Sequence, residues 1–114
     1  MTAEGPALIW CPFAGEDSAA AAATQLLDEG LVACANILPE MRSLYVWQGE
    51  RGEAREFGVL FKTDAALLGR AVERLRAIHP YDEPAIIGWK ADAAAPGTAA
   101  WLADLVKADA EAGR

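Results

Sequence analysis

Residues 37 to 63 constrain the chain most, because they read as two long strands folded back on each other. The arms are 37–48 and 55–63, and aromatic and β-branched residues crowd the middle of both, as a pleated, half-buried surface prefers. Between them, 49–53 is a polar segment whose two glycines can take positive φ, so a hairpin with this tip is expected. Extended chain rises about 3.3 Å per residue, so the arms reach roughly 30 Å and the tip should stand clear of a small domain's core. Tyr45 and Trp47 share a face near that tip. Both would be wet in a monomer, Phe57 and Phe61 are expected to add to this aromatic surface, and another copy of the chain is the simplest cover.

Ahead of the hairpin, the apolar run 7–11 is closed by Pro12 and reads as a buried strand. Residues 15–18 offer N-cap oxygens and negative charge to a helix over 18–29, with Ala19, Ala23, Leu26 and Leu27 on one side and Gly30 at its stop. Alanines from Ala19 to Ala23 permit close packing of that helix on a sheet. Residues 31–35 return to the sheet and run into the hairpin, where Pro39 implies an edge strand or a bulge. A second helix is expected over 64–78, since Leu67, Leu68, Ala71, Val72, Leu75 and Ile78 recur at helical spacing. The segment 79–84 breaks it, 85–89 is the next strand, and Thr98 caps a last helix carrying Trp101, Leu102, Leu105 and Val106. Residues 1–6 and 111–114 are expected to be flexible, with fraying from Asp109 onward.

This order predicts one α+β domain over 1–114: a ferredoxin-like βαββαβ unit with a long central hairpin and an extra C-terminal helix. Both crossover helices then lie on one face of an antiparallel sheet. Only the last helix is left to cover the other face, a second reason to expect assembly. At 114 residues the chain is large enough for a core without metal or disulfide staples. A net charge of -7, with no basic stripe, disfavours nucleic acid and anionic membrane. No run reaches the ~18 apolar residues of a membrane span, and the first residues lack the pattern of a signal peptide, so a cytoplasmic setting is expected. Cys11 and Cys34 are then expected as thiols.

Cys11, Cys34 and His79 are the soft or borderline metal-ligand side chains apart from two methionines, and thiolate with imidazole suits copper or zinc. They lie on different elements with no local metal signature. Each cysteine reads first as a small buried hydrophobe, and His79 equally as a ligand or as a cap on the end of the second helix. Asp82 and Glu83 could hold a hard cation or form a solvated turn. A nucleophile elbow and a phosphate-binding glycine loop are both missing from the sequence, so a binding or assembly protein is expected rather than an enzyme.

Several pieces in order carry a resemblance: Cys11-Pro12, 30–39, 43–50, 60–63, 79–84 and Trp101-Leu102. Over nearly its whole length the chain resembles the divalent-cation tolerance family CutA. The resemblance implies a compact homotrimer of PII-like architecture, a part in the response to divalent metal ions, and copper as the bound ion. It implies Cys11, Cys34 and His79 as ligands; Asp82 is a weaker fourth candidate by its own carboxylate, and the projecting hairpin puts Tyr45, Trp47 and Phe57 at the trimer interface. The alternative is a PII-like signalling scaffold that takes a small anionic ligand between subunits, through Lys62, Tyr81 and arginines facing a subunit boundary. The chain departs from the family pattern at Asp82 and Ala85, where Glu is usual, and at Val46, where Trp is common.

Overall fold

The computed structural model describes residues 4–113. Along the chain run β1 (Pro6–Phe13), α1 (Glu16–Asp28), β2 (Cys34–Trp47), β3 (Glu50–Asp64), α2 (Ala65–Ile78), β4 (Ile87–Lys90) and α3 (Pro96–Ala112). The sheet order is β2-β3-β1-β4, every neighbouring pair antiparallel. This is the expected α+β, ferredoxin-like arrangement. Helix α1 packs on β1, β2 and β3, and α2 on β1, β3 and β4. Ala7, Ile9, Cys11 and Phe13 of β1 and Val59, Phe61 and Thr63 of β3 face them, all fully buried.

The long axis of the molecule, 45 Å against 28 and 26 Å, is the hairpin. Strands of 14 and 15 residues make it, each about 45–50 Å when extended. The tip is tighter than expected. Gln48 and Gly49 take φ of 52° and 80°, and Trp47 pairs with Glu50, so a two-residue turn closes the strands and 50–53 belong to β3. Positive φ at both positions is the primed turn that matches strand twist. Pro39 does both things expected of it: β2 is an edge strand, and its register slips between Ile37 and Glu40.

Helix α1 ends as glycine dictates. Gly30, at φ 70°, donates to Leu27, and Leu31 donates back to Leu26, while Leu31 and Leu26 are both buried. Its start lies earlier than expected, at Glu16, because Gly15 supplies the cap position without a side chain. Asp64 caps α2 rather than opening it, its carboxylate accepting from the Ala66 N–H. Strand β4 covers only Ile87–Lys90, two residues later than the sequence suggests. Helix α3 begins at Pro96, not after Thr98, because a proline at the first turn loses no hydrogen bond. It also holds to Ala112 instead of fraying from Asp109, whose carboxylate pairs with Arg70 of α2 at 2.9 Å. The remaining expectation of loose ends falls partly on 1–3 and 114, outside the described residues, while Pro6 already pairs with Asp64.

Aromatic burial splits. Tyr45 and Trp47 are 47% and 53% exposed, as expected, but Leu44 and Val46 on the opposite face are more so, at 65% and 68%. Both faces of the tip are therefore wet. Phe61, expected to add to this surface, is fully buried against the helices. Phe57 is half-buried and paired with Phe13.

Candidate functional site

Antiparallel register decides which of the candidate residues can meet. Cys11 pairs with Val59 and shares its face, the one covered by α1 and α2. Cys34 pairs with Lys62, which lies an odd number of residues along β3 and so on the opposite face. They are also about 10 Å apart along the strands and about 10 Å across them. Both are free thiols, as expected. Burial, and secondarily the charge of Glu56, pushes the Cys11 thiol up to about 12, so it stays protonated. That is the chemistry of a core residue. Cys34 is half-buried at the start of β2, its Sγ 3.5 Å from Asn36 Oδ1.

His79 is held from both sides. Its Nε2 lies 2.9 Å from the carbonyl of Pro12, and the Tyr81 N–H donates to its Nδ1 at 3.0 Å. A carbonyl can only accept and an N–H only donate, so the ring is neutral with its proton on Nε2. Neither nitrogen is left for a metal. The reason for the first bond lies in β1. A strand residue turns its N–H and C=O to the same side, and β4 ends opposite Trp10, so beyond it the Pro12 carbonyl has no strand to pair with. Pro12 has no N–H to lose there, and His79 supplies the donor for its carbonyl. The imidazole also stacks on Phe13, centroids 4.2 Å apart, and tilts against Tyr81 at 4.7 Å. His79 is the C-cap of α2, as expected, its backbone N–H donating to Leu75 at 2.9 Å, while its ring is a strut from the end of α2 to β1.

Burial lowers the His79 pKa, outweighing the Pro12 hydrogen bond and the Glu56 charge that raise it. A histidine depressed on folding gives stability that is complete above its unfolded value of about 6.5 and is lost as pH falls toward the folded one. Between about pH 7.5 and about pH 5.5 the urea midpoint should therefore fall further in the parent than in a His79→Gln variant. Parallel slopes for the two proteins would refute that linkage.

A broad concavity lies elsewhere. A cleft of about 730 Å³ opens between the hairpin and the 81–85 segment, with Tyr45, Trp47, Glu56, Tyr81, Asp82 and Glu83 among its walls. Tyr45, Trp47, Ala54 and Glu56 fall on one face by register, the face turned away from α1 and α2. The Tyr45 ring lies flat over Gly52, where any Cβ would overlap it. Tyr81 donates its hydroxyl proton to Glu56 Oε2 at 2.8 Å. Burial first, then this bond, raises the phenol to about 12, so it remains a donor across the ordinary pH range. Asp82, a candidate ligand, lines this cleft; Cys11, Cys34 and His79 do not. Among the described residues no three of His, Cys, Asp and Glu converge on a metal-sized point. Lys62, the cation expected to serve an anionic ligand, sits six positions from Glu56 along β3, about 20 Å away.

Sequence reasoning missed Glu56 and the ring-bearing glycines. A charged residue among half-buried strand neighbours, and glycines within strands at Gly52 and Gly58, were the available signals.

The family described as CutA1 divalent ion tolerance protein matches residues 7–105. The divalent-cation tolerance protein CutA of Pyrococcus horikoshii is 37% identical over 100 residues, covering 88% of this chain and 97% of that one. Among solved structures, the divalent ion tolerance protein CutA1 of Ehrlichia chaffeensis superposes with a TM-score of 0.83 at 32% identity, over 90% of this chain and 95% of that one. A CutA of Archaeoglobus fulgidus, described as a periplasmic divalent cation tolerance protein, gives 0.82 at 25% identity over 89% and 98%.

Proposed function

The chain belongs to the CutA1 divalent ion tolerance family, and from that membership we propose that it acts, as a homotrimer, in the cell's tolerance of divalent metal ions. Copper is the ion to test first. The observation that carries the assembly is the hairpin, which runs past the core and leaves Tyr45 and Trp47 about half exposed. Binding rather than turnover is part of this reading, in keeping with a sequence that carries neither a nucleophile elbow nor a phosphate-binding glycine loop. No described helix is long and apolar enough to cross a membrane. A cytoplasmic setting is part of the same reading, and the two free thiols suit it.

Of the three soft ligands that the resemblance implies, only Cys34 is open to a metal from solvent. Cys11 is sealed and protonated, and both nitrogens of His79 are engaged. Copper in its reduced state, titrated into the purified protein, should therefore lose affinity in Cys34→Ser and keep it in Cys11→Ser. About tenfold weaker binding is expected for the loss of a charge-bearing ligand. Equal loss in both variants would show that the two thiols do share an ion, and no loss in either would remove the thiol site. The rival reading, a small anionic ligand, gains nothing from the cleft, which Glu56, Asp82 and Glu83 make electronegative.

A further inference from the structure

We propose that the cleft between the hairpin and the 81–85 segment binds an aliphatic polyamine. Its volume of about 730 Å³ suits a small organic molecule. Three carboxylates line it, those of Glu56, Asp82 and Glu83, and none of its described lining residues is Lys, Arg or His. None of the three is ion-paired among the described residues, although five other acidic side chains are. The occupant is thus a cation.

Two features choose the kind of cation. The carboxylates share a cleft, yet no three acidic, histidine or cysteine side chains converge as a metal ion would require. Negative charge spread along a wall matches positive charge spread along a chain. Rings of Tyr45, Trp47 and Tyr81 supply the other half of the recognition, since aromatic faces take both methylene segments and ammonium groups. Their placement is built in. Gly52 leaves the space in which the Tyr45 ring lies, and Tyr81 is fixed by its bond to Glu56 Oε2, which leaves Glu56 Oε1 for a ligand's N–H. In the trimer proposed above, the aromatic face meets a neighbouring copy, so the cleft becomes a chamber at a subunit boundary; to that extent this inference rests on that reading.

The test uses the full chain and spermidine, by calorimetry at about 150 mM salt, where long-range attraction to the negative surface is largely screened. Saturable binding at one amine per chain is expected. A variant with Asp82→Asn and Glu83→Gln, which leaves every ring in place, should bind about tenfold more weakly. Adding Glu56→Gln should weaken it further. A control with Asp92→Asn, Asp104→Asn and Glu111→Gln removes a comparable charge at exposed positions outside the cleft and should bind as the parent does. Absence of binding by the parent, or equal weakening in the control and the cleft variants, would overturn the proposal. So would complete displacement by magnesium at matched charge. Sedimentation of the same samples keeps the two readings apart: a monomer that binds spermidine refutes only the trimer, and a trimer that does not bind refutes only the polyamine.

Discussion

Replacing Tyr45 and Trp47 together by alanine should turn the proposed homotrimer into monomers at micromolar concentration, read by sedimentation. In the single chain both side chains stand about half in water on a strand pair that the core does not support. Each aromatic side chain removed from water contributes about 2 kcal/mol, and a ring of three repeats that gain at every boundary. The melting temperature should fall with it, on the order of 10 °C, because a subunit alone has few contacts that keep the tip extended. Leu44 and Val46 make the expectation stronger, since they leave the opposite face of the tip wet as well. A leucine replacement of Val46 offers the contrast: it keeps apolar surface and should leave assembly intact. A double alanine variant that still sediments as a trimer with unchanged melting would place the contact elsewhere, along the free edges of β2 and β4.

The fold was legible wherever local chemistry and long-range packing ask for the same thing. Period-2 and helical patterns placed β1, α1, β3 and α2 because each buries one face against the same core. Gly30 and Pro39 were readable because a helix stop and a break in register are local backbone events. The tip was misread for a reason of the same kind. Residues 50–53 are polar because both faces of the projecting strands meet water, so polarity there signals exposure and not a loop. In α3, Thr98 was a plausible cap by composition, but Pro96 sets the φ of the first turn without needing one.

Site residues were less legible, because a ligand set is a matter of faces and register. Cys11 and Cys34 look alike in the sequence, each in an apolar run beside alanine or proline. An odd offset in strand register sends one into the core and the other to the far face. His79 looks available in the sequence because nothing local uses its nitrogens. The carbonyl it serves is that of Pro12, 67 residues earlier, and that need arises only because β4 is short. Glu56 is the converse: it gains meaning only when Tyr81 arrives beside it from the end of α2.

Gly58→Ala should be the most damaging single-methyl change in the sheet, lowering stability by about 2 kcal/mol through overpacking. Gly58 on β3 pairs with Pro12 of β1, and the Trp10 ring lies across it so closely that an added Cβ would overlap three ring carbons. Its φ lies outside the left-handed region, so alanine fits the backbone and the whole cost is steric. Trp10 is half-buried and flanked on its own face by Leu60 on β3 and Ile87 on β4, which pair with it directly. Trp10→Leu should therefore be cheaper in the Gly58→Ala background than in the parent, with a coupling of about 1 kcal/mol or more from chemical denaturation of the four proteins. Strict additivity would mean that the ring swings aside freely and that Gly58 serves the backbone instead. Gly52 makes the comparison sharper. It also lies beneath a ring, that of Tyr45, but at the exposed tip, where the phenol can lift into solvent. Gly52→Ala should consequently cost less than Gly58→Ala in stability, while still disturbing the cleft that Tyr45 helps to form.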